Sequence, residues 1–190
     1  IEKRFYPSAF ISLRTGDSVF ALPEVQSFNM LFYRTDIFEE NHLSVPDTWD
    51  DFYTVLARLQ KGGMQVGIAE NPQIYEMFLL QNGGTLYSSD MRKTRMTEDA
   101  SIQAFTSWTD LYVKYGLPVS FDALNRFRTG QMPMVIATSY FYGQVAVGAP
   151  EIAGQWSMAP VPGTRQADGS VNRSEACNVS GAVVLAKSTR

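Results

Sequence analysis

Short apolar runs alternate along the chain with stretches whose apolar residues recur at helical spacing. The run SFNMLFY (27–33) contains few polar residues, which predicts a strand covered on both faces, and MPMVIA (132–137) predicts another strand. After Thr97, by contrast, apolar residues follow at i, i+4, i+7 and i+11, namely Ala104, Trp108, Leu111 and Tyr115. This spacing predicts an amphipathic helix, with Trp108 in the core.

The remaining segments continue the alternation of strand and helix. MQVGIA (64–69) predicts a strand, and the stretch DTWDDFYTVLARLQKGG (47–63) predicts a helix capped by Asp47 or Thr48 and ended by two glycines. A polar loop over 163–175 separates the last two predicted strands. We therefore expect an α/β fold with a mixed sheet flanked by helices.

Three aromatic residues in a row, Tyr140, Phe141 and Tyr142, follow the strand predicted at 132–137. Consecutive side chains cannot all face one core in either a strand or a helix. At least one of these rings must therefore face outward, and we expect Tyr140 or Tyr142 to be partly exposed. The alternative is that all three rings serve only the core or an ordinary surface.

Composition and charge exclude several classes of function. The formal net charge of −3 offers no basic surface, so we expect no nucleic-acid partner. No run approaches the roughly eighteen apolar residues that a membrane span requires. Cys177 is the only cysteine, which excludes an intrachain disulfide.

Residue patterns typical of catalysis are missing from the sequence. The single histidine, His42, lies at a predicted helix end, which weakens any serine–histidine or cysteine–histidine mechanism. DGSVNRSE (168–175) has part of the spacing of a calcium loop, but Arg173 replaces the glycine that such a loop requires at its sixth position. We interpret it as a hairpin turn, and we expect no cofactor and no metal.

Several segments together resemble one family. The segments are ALPEVQSFNMLFYRTDIFEENHLSVPDTWDDF, FLLQNGG, WTDLYVKYGLP, FRTGQMPMVIA, APEIAGQWSMAPVPG and GAVVLAKST. In this order and spacing they resemble the bacterial extracellular solute-binding proteins of family 1, the maltose-binding-like group. The resemblance covers nearly the whole chain from Ser18 onward.

The resemblance implies the fold and role of the protein. It implies a periplasmic-binding-protein-like fold of type II, in which two lobes close on a solute for an ABC importer. Residues 1–26 would end the first lobe and cross over, residues 27–178 would form the second lobe, and residues 179–190 would return. We therefore expect a piece of a larger protein: a monomeric, extracellular or periplasmic receptor, anchored as a lipoprotein and partnered by membrane permease subunits.

The resemblance also implies where a ligand binds. An aromatic residue just after the strand equivalent to 132–137 stacks on sugar rings in this family, which points to the aromatic run. The family also presents ligand contacts at the helix start in ENPQIYE and on the crossing strands, although capping of the helix is an equally good account of Asn71. The candidate ligand-binding residues are Glu24, Gln26, Ser27, Asn71, Gln73, Tyr75, Tyr140, Phe141, Tyr142, Asn178 and Ser180.

These candidates are mainly amides and aromatics, which favours a neutral polyol such as a sugar or oligosaccharide. We therefore expect binding without catalysis. Two alternatives remain open. One is a glycan-active enzyme, since two carboxylates that are distant in sequence can still meet in space. The other is a receptor for a different small solute, such as an anion, a metal or a polyamine, on the same fold.

Overall fold

The computed structural model describes residues 2–69 and 71–188, which fall into two compact units. Unit 1 comprises residues 1–28 and 177–190, and unit 2 comprises residues 29–176. None of the described helices is both long and apolar enough to cross a membrane.

Unit 1 contains two small antiparallel pairings. The strands are β1 (Arg14–Thr15), β2 (Ser18–Val19), β3 (Leu22–Ser27) and β10 (Asn178–Ala182). β1 pairs with β2, and β3 pairs with β10 from Ser27 opposite Asn178 to Leu22 opposite Ala182. Two short 3-10 helices, Glu2–Arg4 and Pro7–Leu13, precede β1, and the second buries Phe10 and Leu13.

Unit 2 has a four-stranded mixed sheet in the order β5-β6-β4-β7, together with a small hairpin of β8 and β9. Its strands are β4 (Asn29–Arg34), β5 (Val66–Ile68), β6 (Met134–Thr138), β7 (Trp156–Ala159), β8 (Thr164–Arg165) and β9 (Val171–Asn172). Its helices are α1 (Thr35–Glu40), α2 (Trp49–Lys61), α3 (Pro72–Gln81), α4 (Asp99–Val113), α5 (Ala123–Arg128) and α6 (Phe141–Gly148).

Hydrophobic cores cover both faces of this sheet. On β4, Leu31 packs into the larger core with α2, α3 and α4, whereas Phe32 faces the smaller core beside α5 and α6. On β6, Ile136 and Val135 divide between the two cores in the same way. The nearly continuous apolar run of β4 therefore has the predicted cause, and the α/β prediction with a mixed, helix-flanked sheet is confirmed.

Local sequence signals account for the position of α2. Thr48 caps the helix, since its hydroxyl accepts a hydrogen bond from the backbone N–H of Asp51 and the Asp51 carboxylate accepts one from the N–H of Thr48. The helix ends at Gly62, as predicted. The stretch that resembled a calcium loop is a hairpin turn, in which the Asp168 carboxylate accepts hydrogen bonds from the backbone N–H and hydroxyl of Ser170.

The prediction that Trp108 is a core residue is wrong in part. The buried face of α4 carries Ser101, Ala104 and Leu111, and Trp108 lies at its margin, only half buried. The indole packs at the margin of the larger core, with its ring 6.2 Å from that of Tyr75. The predicted stripe of buried residues along the helix is present. The spacing alone did not show that Trp108 lies at the edge of this stripe.

Candidate ligand-binding site

One edge of the four-stranded sheet brings together the segments predicted to bind a ligand. β6 runs parallel to β5 and antiparallel to β4, and β7 is also antiparallel to β4. The carboxyl ends of β5, β6 and β7 therefore lie at the same edge as the amino end of β4. We call this the carboxyl edge, represented by Asn29, Asn71, Thr138 and Tyr140. Open α/β sheets bind their ligands at such edges.

The three consecutive aromatic rings divide between solvent and core. Tyr140 is 58% exposed, Phe141 is 3% exposed and Tyr142 is 52% exposed. Phe141 packs edge-on against Phe32 and Phe127, with ring centroids 5.0 and 5.7 Å apart. Its ring is therefore unavailable to a ligand, and we remove Phe141 from the candidate site.

The two exposed tyrosines also differ from each other. Tyr142 contacts the ring of Trp156 edge-on at 5.5 Å and lines a groove of about 370 Å³ beside α6 and β7. Tyr140 lies at the junction between β6 and α6, and its ring has no aromatic partner among the described residues. Tyr140 is therefore the ring that best suits a ligand at the carboxyl edge.

Two amide side chains at the start of α3 each have a buried atom without a hydrogen-bond partner among the described residues. Asn71 occupies the position before the first helical residue, but its side chain makes no capping hydrogen bond. Its Oδ1 atom is buried without a partner, and the same holds for the Nε2 atom of Gln73. Capping, the alternative account of Asn71, is therefore wrong for this structure.

An aromatic cluster adjoins these amides. Tyr75, in the first turn of α3, is buried, with its ring 6.2 Å from Trp108 and 6.5 Å from Phe105. Tyr75 was predicted to contact a ligand, but in this structure it supports the neighbouring rings instead. The Nε1 atom of Trp108 is also buried without a partner. One turn further along α4, the Tyr112 hydroxyl donates to the carbonyl of Ile68 at the carboxyl end of β5.

The buried side-chain polar atoms that lack partners, taken over the described residues, all belong to this region. They are Oδ1 and Nδ2 of Asn29, Oδ1 of Asn71, Nε2 of Gln73 and Nε1 of Trp108. Buried polar groups in folded proteins nearly always have a hydrogen-bond partner, and leaving one without costs about 1–3 kcal/mol. Their concentration at the carboxyl edge is the main structural evidence for a binding site.

A carboxyl group also lies at this edge. The backbone N–H of Asn29 donates to Oε1 of Glu175 over an N···O distance of 2.6 Å. Burial raises the pKa of Glu175 to about 7, and the hydrogen bond from the backbone N–H of Asn29 opposes part of this rise. At neutral pH this group is therefore a mixture of carboxylic acid and carboxylate.

The other predicted ligand contacts lie in unit 1, on the paired strands β3 and β10. Glu24, Asn178 and Ser180 are exposed, Gln26 is half buried and Ser27 is buried. Ser27 is opposite Asn178 in the ladder. The burial of Ser27 leaves its side chain with little access to a ligand in this structure.

Sequence reasoning missed Asn29, Glu175 and the binding-site position of Trp108. Asn29 lies inside an apolar run, where an isolated amide is a weak signal that only its complete burial makes meaningful. Glu175 lies in a polar loop, and its proximity to Asn29 depends on a contact across 146 positions. No local pattern could have found that contact.

Comparison with known proteins identifies the family. The model for bacterial extracellular solute-binding proteins matches residues 2–190, so the chain belongs to this family. No curated protein sequence matches the chain. The resemblance predicted from the ordered segments is thereby confirmed.

Solved structures with the same fold include three solute receptors. One is an ABC transporter solute-binding protein from Thermotoga lettingae TMO with bound α-D-tagatose (22% identity, TM-score 0.73, covering 94% of this chain and 48% of that one). Another is maltose-bound MalE3 of T. maritima (22% identity, TM-score 0.73, 95% and 48%). The third is the GacH receptor of Streptomyces glaucescens GLA.O, solved with acarbose (21% identity, TM-score 0.73, 97% and 48%). The chain spans about half the length of these structures.

Proposed function

We propose that this chain is part of an extracellular receptor that binds a sugar or oligosaccharide for an ABC importer. The observation that carries the proposal is the group of buried, unpartnered polar atoms at the carboxyl edge, next to the exposed ring of Tyr140. A sugar supplies both hydroxyl groups for those atoms and an apolar ring face for the tyrosine.

The chemistry of the edge favours an uncharged ligand. Amides both donate and accept hydrogen bonds, as sugar hydroxyl groups also do. The carboxyl group at the edge, Glu175, is partly neutral near pH 7. Arg34, the buried arginine of β4, hydrogen-bonds to Asp36 at the opposite end of that strand, so it is not placed to bind an anion at the carboxyl edge.

The related structures support the same ligand class. The three receptors described above were solved with a monosaccharide, a disaccharide and acarbose. We propose that the present receptor likewise binds its solute without transforming it, acts outside the cytoplasmic membrane as the family description implies, and delivers the solute to permease subunits. A lipid anchor and a monomeric state belong to the same proposal.

Calorimetric titration of the full-length protein with maltose, α-D-tagatose and acarbose tests the ligand class. We expect at least one of these sugars to bind, with the sugar recovered unchanged. Absence of binding by all three, together with a measurable affinity for a polyamine or an inorganic anion, would contradict the proposal. Cleavage of a bound oligosaccharide would favour the glycan-active enzyme instead.

Two variants test the assignment of the site. Loss of stacking in Tyr140→Ala should weaken sugar binding about 5- to 30-fold, corresponding to about 1–2 kcal/mol. Tyr87→Ala is the matched control, because Tyr87 is 50% exposed but lies beyond the far end of α3. Equal affinities for the two variants would remove Tyr140 from the site.

Asn71→Ala separates a binding role from a capping role. Removal of a buried amide atom that has no partner should leave the free energy of unfolding unchanged or raise it by up to about 1 kcal/mol, whereas loss of a true cap lowers it by about 1 kcal/mol. The affinity for sugar should nevertheless fall about tenfold or more, since hydrogen bonds to the ligand are lost. Urea unfolding and calorimetry on the same sample measure both quantities.

A further inference from the structure

Glu175 connects the segments through which the chain enters and leaves unit 2. Asn29 is the first residue of unit 2, and Glu175 is one residue from its end. The hydrogen bond from the Asn29 N–H to Glu175 Oε1, at 2.6 Å, joins these segments directly. We call this hydrogen bond the Asn29–Glu175 clasp.

The clasp lies in surroundings that disfavour charge. Asn29 is 1% exposed, and both polar atoms of its side chain are buried without a hydrogen-bond partner among the described residues. Burial is the largest cause that raises the pKa of Glu175, and none of the described charged side chains contributes to its value. Addition or loss of one proton therefore changes the charge of the clasp without direct compensation.

Charged groups on the adjoining segments form ion pairs elsewhere. Arg173, two residues before Glu175, forms an ion pair with Asp47. Arg34, at the other end of β4, hydrogen-bonds to Asp36. The β6 residues paired with β4, Met134–Thr138, include no ionisable side chain.

We propose that Glu175 is a proton-dependent positioning residue, and that solute binding at the carboxyl edge requires the protonated form of its clasp with Asn29. This inference rests on the proposed function, because it takes the ligand to be uncharged and to cover the carboxyl edge. Such a ligand removes water from the carboxyl group and brings no cation in exchange.

The direction in which solute affinity changes with pH follows from the linkage between proton binding and solute binding. Further desolvation penalises the carboxylate and leaves the carboxylic acid less affected, so the pKa of Glu175 rises further in the complex. Binding then takes up a proton wherever the free protein is partly ionised. The affinity for an uncharged sugar therefore falls as the pH rises above about 7, by at most tenfold per pH unit for one proton.

Calorimetric titration of the full-length protein with maltose from pH 5.5 to 8.5 tests this dependence. We expect the affinity to decrease several-fold between pH 6 and pH 8, with proton uptake seen as a difference between buffers of different ionisation enthalpy. Glu175→Gln keeps an oxygen acceptor for the Asn29 N–H but cannot titrate, so its affinity should be constant over this range. The control Glu98→Gln removes an exposed carboxylate paired with Arg95 and should keep the parent pH profile.

A second measurement requires no ligand. Carboxyl NMR of the protein labelled with carbon-13 glutamate, with Glu175 assigned by its loss in Glu175→Gln, should give a titration midpoint near pH 7. The backbone amide of Asn29 should shift with the same midpoint.

A midpoint below pH 5, or an Asn29 amide that does not follow it, would overturn the clasp. Maltose binding that is independent of pH, or that releases a proton, would overturn its link to the ligand. Failure of maltose to bind at any pH would instead count against the proposed function, while the NMR titration still decides the clasp.

Discussion

The adjacent residues Tyr140 and Phe141 allow a stringent comparison of surface and core within one segment. Replacement of either ring by alanine removes a large aromatic side chain at the start of α6, where the backbone context is almost the same. Tyr140 is more than half exposed, whereas Phe141 is buried against Phe32 and Phe127. The two substitutions should therefore have very different effects on stability.

The size of the difference follows from the packing. Deletion of a buried phenylalanine ring costs about 3–5 kcal/mol, because apolar surface is lost and a cavity remains. Phe141 also makes two edge-on ring contacts, which places it toward the upper part of this range. Tyr140→Ala should change the free energy of unfolding by no more than about 0.5 kcal/mol, as is usual for an exposed side chain without partners.

Urea unfolding of the full-length protein, followed by circular dichroism and tryptophan fluorescence, measures both values. Phe141→Leu serves as a control that keeps most of the buried volume, and it should cost less than about 1.5 kcal/mol. A loss below about 1.5 kcal/mol in Phe141→Ala would refute the buried position of this ring. A loss above that value in Tyr140→Ala would refute the assignment of Tyr140 as a ligand platform with no structural role.

Three further predictions concern buried polar groups. Gln81→Leu should lower the free energy of unfolding by about 2–4 kcal/mol in urea titrations, because Nε1 of Trp49 then lacks its acceptor; a loss below about 1 kcal/mol would contradict this. Arg34→Met should cost about 2–3 kcal/mol at pH 6, since two backbone carbonyls lose their donor. Because Arg34 lowers the pKa of Asp36, this deficit should shrink in urea titrations as the pH falls below about 4, and a deficit of the same size at pH 3 would contradict the pairing. Because burial raises its pKa, Glu175 contributes a decline in the free energy of unfolding of the ligand-free protein as the pH rises from about 4.5 to about 7, on the order of 1–2 kcal/mol after screening by solvent. Thermal unfolding of Glu175→Gln over this range should lack that decline, and an unchanged decline would assign it to other groups.

The elements of unit 2 could be predicted because their causes are local. The apolar runs of β4 and β6 reflect cores on both faces of the sheet, and the ends of α2 follow from Thr48 and Gly62. The aromatic run was only partly predictable. Its spacing required at least one ring to face outward, but the choice of Phe141 as the buried ring depends on the direction in which the chain turns from β6 into α6.

The candidate site was less predictable because its properties depend on contacts between distant segments. Asn71 has an ideal sequence position for a helix cap, and only the folded structure shows that its side chain makes no such bond. Tyr75 has the same residue type as Tyr140, yet α4 covers it. Residue type and helix position therefore suggested the correct segment, but they could not distinguish supporting residues from residues available to a ligand.

The two ends of α3 give the strongest argument that the carboxyl edge binds a ligand. At the end of the helix, Gln81 is completely buried, yet its side chain accepts hydrogen bonds from Trp49 and Thr164 and donates one to the carbonyl of Pro162. At the start of the same helix, Oδ1 of Asn71 and Nε2 of Gln73 are buried without partners in the part of the chain that the structure describes. This fold can therefore satisfy a buried amide fully, and stability alone does not explain why the amides at the other end remain unpaired. Hydrogen bonds supplied by a bound solute would explain the difference, because the cost of the unpaired groups in the free protein would then be recovered in the complex.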